Sequence, residues 1–205
     1  MLISCASQTA PPQDMIADMD PVPVMSLSGE FDKFLAIGID QKDISLIFHP
    51  RTNEVSLDFT YETIKYRLFW KQRVREQFIA SVNQYDADYT AHILIQKSSK
   101  TRSVYGKAAS GLEWRTFSFS RNRSSPVVTF GYTFKNETPY YTVTLEEGKN
   151  DIAGNGDSQF NSRRFRIYFT RAQAASLADA LNQESLAALT GNGAPKIPDP
   201  HQDVY

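Results

Sequence analysis

Trp114, Tyr140 and Tyr168, together with Lys65, Arg67, Arg164 and Arg166, are the side chains whose types and spacing pose a chemical question. Rings and cations gathered on one sheet face suit single-stranded nucleic acid, because rings stack bases while ammonium and guanidinium groups meet phosphates. The same residues also read as β-forming rings and solvated charges on a half-exposed sheet, or as contacts to an additional partner. Catalysis has less to draw on. His49, His92 and His201 fall in a turn, a strand and a tail, with no HExxH spacing and no neighbouring nucleophile. The chain contains no GxSxG, P-loop or dinucleotide fingerprint. Its carboxylates form no pair spaced for acid–base work. Asn150 to Asp157 alternates oxygen side chains with glycines but lacks the regular start and closing glutamate of an EF-hand, so it reads as a hairpin loop. Cys5 has no positioned base and is not a catalytic thiol. A non-enzyme is therefore expected, with no metal and no cofactor.

The elements that would position these residues follow from periodicity. Val55, Leu57, Phe59 and Tyr61 alternate with Ser56, Asp58 and Thr60 in a half-buried strand, and Ile64 to Trp70 is placed to be its hairpin partner. Earlier strands are expected at Phe34 to Ile39 and Ile44 to His49, with a turn over His49 to Asn53. Ala91 to Ile95 reads as an apolar strand and Ser103 to Ala109 as a weaker one. A meander follows: Glu113 to Arg121, Pro126 to Lys135, Pro139 to Glu147 and Arg163 to Phe169, the last reached through a long Gly/Asn/Asp-rich connection. Parity puts Phe117, Phe119, Val128, Phe130, Tyr132, Phe134, Tyr141, Val143, Leu145, Phe165, Ile167 and Phe169 in the core. Trp114, Tyr140, Arg164, Arg166 and Tyr168 fall on the opposite, polar face, joined there by Lys65, Arg67 and Phe69.

The chain carries one pattern twice. Tyr66 to Gln84 lies over Phe165 to Gln183 without a gap, with Arg67 on Arg166, Phe78 on Leu177 and Val82 on Leu181. Each stretch begins as a strand and turns into an amphipathic helix. Thr170 with Gln173 makes a capping box for the second helix, which bends or restarts around Ser185. The fold class expected is α+β: antiparallel sheet with two helices, an internal duplication of a strands-then-helix unit. Residues 1–28 read as a flexible arm and 29–190 as a single domain made of two halves, about 31–88 and 89–190. Residues 191–205 read as a disordered tail.

At 205 residues, 41% hydrophobic and 12% aromatic, the chain can bury a real core. A net charge of −1 argues against a generic nucleic-acid or membrane-surface binder, but residues 91–171 alone carry +7 between acidic flanks. No apolar run approaches the ~18 residues that span a bilayer.

Leu2-Ile3-Ser4-Cys5 resembles a bacterial lipobox, and the following proline-rich stretch resembles the tether of a lipoprotein. The four residues before Cys5 make no signal segment, so the resemblance requires a start upstream of Met1. It implies a lipid on Cys5, attachment to a membrane, and a binding or structural role in the cell envelope toward a protein or polymeric ligand. Four strands then a helix, given twice, is similar to the repeat of the PUR family, over about residues 31–186. That resemblance implies single-stranded nucleic-acid binding by a cytoplasmic protein.

Overall fold

The computed structural model describes residues 14–32, 39–96, 103–115, 121–151 and 161–191. Its strands are β1 (Val22–Asp32), β2 (Ile39–His49), β3 (Glu54–Tyr61), β4 (Ile64–Lys71), β5 (Ser103–Ala109), β6 (Gly111–Arg115), β7 (Arg121–Ser124), β8 (Val127–Lys135), β9 (Thr138–Leu145) and β10 (Phe165–Phe169). Its helices are α1 (Gln72–Thr90), α2 (Arg171–Leu181) and α3 (Gln183–Ala188). All strand pairs are antiparallel, in the order β5-β8-β9-β10-β1-β2-β3-β4-β6-β7.

The expected α+β class with two helices is corrected by this arrangement. Half of the described residues are in strands and 24% in helices, of which there are three, and the sheet is one curled half-barrel. Two local features account for the difference. Val22–Asp32 lies partly in the segment expected to be an arm, yet it forms a long ladder with β2, with its Pro23 at an irregularity in the register. Proline is tolerated in a strand at such a position because no ladder N–H is required there. The second helix breaks at Asn182, whose side chain accepts from Glu184 N at 2.8 Å and starts α3. The strand expected at Ala91–Ile95 does not form. Instead α1 runs to Thr90 and ends through Ala91 and His92, with His92 at φ +55, and Ile93 and Ile95 are left 59% and 63% exposed. The strand expected at 34–39 and the tail from 192 lie largely outside the described residues.

A bent hairpin joins the two margins of the half-barrel. β5 and β6 are separated by Ser110 alone, and β7 and β8 by Ser125 and Pro126, although each pair of names lies at opposite ends of the strand order. Ala109 pairs with Val127 and Leu112 with Ser124, and between them Ser110 N donates to Pro126 O at 3.0 Å. The ladder therefore passes through the corner without changing register. One half of this hairpin, β6–β7, docks on β4, and the other, β5–β8, docks on β9.

The core sits inside this curl. Phe78 of α1 packs against Trp70 of β4, Phe130 of β8 and Tyr141 of β9, with ring centroids 5.0, 5.6 and 5.5 Å away. Phe165 of β10 meets Tyr66 of β4 at 5.2 Å, although three strands separate them in the sheet. Only a strongly coiled sheet brings such distant strands together. α1 and α2 start at matching positions of the aligned stretches and bury Phe78 and Val82, and Leu177 and Leu181. The caps differ. Thr170 makes its capping box with Gln173, whereas Lys71 caps α1 without a side-chain bond.

Candidate ligand-binding site

The polar face of the sheet holds two clusters on adjoining sets of strands, their centres roughly 19 Å apart along the sheet at ~4.8 Å per strand spacing. The first spans β8, β9, β10 and β1. Tyr168 Oη donates to Asp32 Oδ1 at 2.5 Å and accepts from Arg166 Nη1 at 3.1 Å. Arg166 Nε donates to Thr144 Oγ1 at 3.2 Å, and its guanidinium lies 3.9 Å from the Asp32 carboxylate. Lys135 pairs with Glu30 and sits 4.4 Å above both the Tyr140 and Tyr168 rings. Burial first, and then the Asp32 hydrogen bond, pushes the Tyr168 phenol up to about 12, so it stays a neutral donor. This cluster satisfies its own charges and ring faces. Arg164 stands outside it, half-exposed, 3.3 Å from Glu146.

The second cluster is a groove of about 560 Å³ over β2, β3, β4 and β6. Here Lys65 and Arg67 come together, as strand parity requires. Trp114 does not join them as a free ring. It pairs in register with Tyr66, points to the core side and is 2% exposed, so only its edge of the strand borders the groove. The expected outward ring is thus corrected. The chain reverses between Arg115 and Arg121, and the alternation of the short β6 follows Leu112 and Trp114 inward. Phe117 and Phe119, expected as its core residues, lie outside the described residues.

Two neighbouring cross-strand rows line the groove with opposite electrostatics. In one, Asp58, Arg67, Glu113 and Arg123 stand in register and alternate in sign. Arg67 Nε donates to both Asp58 oxygens at 2.9 and 3.0 Å, with Nη2 bonded to Oδ2 as well, and Arg123 Nη2 donates to Glu113 at 2.6 Å. In the other, Thr60, Lys65, Arg115 and Arg121 stand in register, and among the described residues the three cations have no carboxylate partner. Arg115 and Arg121 were not among the sequence candidates. Their signal was two arginines flanking five residues, but only the pairing of β6 with β7 brings them opposite each other.

Beside the groove, His49 Nε2 lies 3.1 Å from Ser56 Oγ. Burial, then the nearby Arg67 charge, lowers the imidazole below its usual value. Ser56 is completely buried, so this pair offers substrate no hydroxyl. No metal-holding cluster of His, Cys, Asp and Glu occurs among the described residues. The same holds for helices long and apolar enough to cross a membrane. Cys5 and His201 lie outside the described residues, as does most of the 150–157 stretch.

A family model described as "Uncharacterised Treponema protein" matches residues 25–188. An uncharacterised protein of Treponema pallidum (strain Nichols) is 23% identical over 190 residues, which is 92% of this chain. The chain spans 66% of that relative's length, just under two thirds. No solved structure matches.

Proposed function

The chain belongs to the uncharacterised Treponema protein family, and we propose that it is a non-catalytic binding protein of the bacterial cell envelope that presents the β2–β3–β4–β6 groove to its ligand. The observation that carries this reading is the groove itself, an open concavity of about 560 Å³ on the sheet face turned away from the core. Convergent polar groups in a concavity are the usual mark of a ligand site. The envelope part rests on the lipobox resemblance at Leu2 to Cys5 and the proline-rich stretch after it.

The rival, a single-stranded nucleic-acid binder, needs free rings. Trp114 and Tyr168 are 2% and 5% exposed, and Tyr140 lies under Lys135.

Retention on isolated Treponema envelope fractions tests the groove. The native chain is expected to be retained and Thr60→Trp, which fills the groove from β3, to lose retention at least tenfold. Equal retention of the two overturns the reading. Expressed from its own locus, the protein is expected in the detergent phase of a phase partition, with a lipid on Cys5 by mass spectrometry. An unmodified Cys5 removes the anchor.

A further inference from the structure

Resting on the groove reading above, we infer that the ligand carries a phosphoryl group, held by Lys65 and Arg115 with Arg121 beside them. Like charges directly opposite each other on paired strands destabilise a sheet. Lys65 faces Arg115, and Arg115 faces Arg121, with no acid between them. One step along the same strands, Asp58, Arg67, Glu113 and Arg123 alternate in sign and bond to one another. The sheet neutralises one row internally and leaves the other for something from outside.

The chemistry of that something follows from the donors. Lysine and arginine offer N–H groups only, three and five respectively, and no acceptor. A carboxylate brings one charge and two oxygens. A phosphomonoester brings close to two charges and three terminal oxygens, and the guanidinium fork matches two of them. Thr60, opposite Lys65, adds a hydroxyl to the same row. The carboxylate of Asp43, which has no ion pair among the described residues, lines the groove too. It repels a ligand with charge along its whole length, so one phosphoryl group on a polar, uncharged body fits better than a densely charged polymer. A soluble phosphorylated small molecule and a phospholipid headgroup share this chemistry.

The test is an NMR titration of the full chain with glycerol 3-phosphate, with glycerol as the uncharged control. Amides of Thr60, Lys65, Arg115 and Arg121 are expected to shift with glycerol 3-phosphate alone. Lys65→Gln and Arg115→Gln should each weaken binding at least tenfold. Lys107→Gln, which removes an exposed charge from β5, should leave it unchanged. The unliganded double variant should melt no lower than the native chain, because it loses repulsion rather than packing. Co-sedimentation with phosphatidic acid vesicles assigns the source: loss in the double variant marks a membrane-borne phosphate, and no sedimentation of the native chain marks a soluble one. Glycerol 3-phosphate bound no better than glycerol overturns the inference, as does equal weakening by Lys107→Gln or vesicle binding that survives the double substitution. Envelope retention sensitive to Thr60→Trp without phosphate binding would retire the phosphoryl group and leave the groove reading intact. Phosphate binding without envelope retention would retire the envelope part of that reading and leave the groove as the phosphate site.

Discussion

Arg75 carries a guanidinium into the core at the aligned position where α2 has Ala174. Its Nη1 donates to Asn53 O at 2.7 Å and Trp70 O at 3.2 Å, and its Nη2 to Asn53 Oδ1 at 2.9 Å and Gln183 Oε1 at 2.6 Å. The acceptors are all neutral, and burial lowers its pKa to about 10, which leaves it charged at neutral pH. Arg75 thereby ties the β2–β3 turn, the end of β4 and the start of α3 together. Arg75→Ala is expected to cost about 3 kcal/mol or more in urea denaturation, because it leaves a cavity and strands buried carbonyls. Gln183→Ala removes one of these bonds and should cost about 1 kcal/mol. His49 gives a pH signature. Its folded pKa lies below the unfolded 6.5, so the unfolded chain binds the proton more readily. The stability it contributes is complete above pH 6.5 and is lost as pH falls through the folded value. His49→Gln should flatten that part of the stability–pH curve, and an unchanged curve would show that the ring titrates alike in both states.

At the level of elements, Phe78→Ala should cost about 3–5 kcal/mol, since the ring is fully buried between strands from both margins of the sheet. Gly131 permits the close approach of β5 to β8: a Cβ there would meet the Ser103 carbonyl oxygen at 2.1 Å. Gly131→Ala should cost about 1–3 kcal/mol and speed hydrogen exchange over Ser103–Ala109, with Leu112–Arg115 little changed. Strand parity made β3, β4, β8, β9 and β10 legible, because each alternates on a half-buried face long enough to count. It failed around β6 and β7, where Glu113 to Arg121 reads as one strand although the chain reverses within it. It failed at Val22–Asp32 for a different reason, since prolines and serines there resemble a linker until a partner strand is supplied. Of the candidate site, Lys65 and Arg67 were readable from β4 alone. Arg115 and Arg121 became neighbours only through pairing between strands, which no local pattern encodes.

At the level of the molecule, the hairpin ties both margins of the half-barrel into one core. The chain is therefore expected to unfold in a single transition, with the tryptophan signals of Trp70 and Trp114 and the far-ultraviolet signal coinciding. Two separated transitions would mean that the halves are independent. The seam between β1 and β10 has a consequence in time as well as in space. Glu30 pairs with Tyr168 and Phe31 with Ile167, so the earliest strand waits for the latest. At ~5–20 residues per second on the ribosome, that wait is roughly 7–27 seconds. Throughout it β1 shows a bare edge, a template for pairing with another nascent copy. Pro21 and Pro23 stand at the outer end of that edge, and Gln173, which reaches Ser28 O at 2.8 Å, arrives only with α2. Newly made chains are therefore expected to associate through that edge more readily than full-length chains refolded from denaturant, until the last strand emerges.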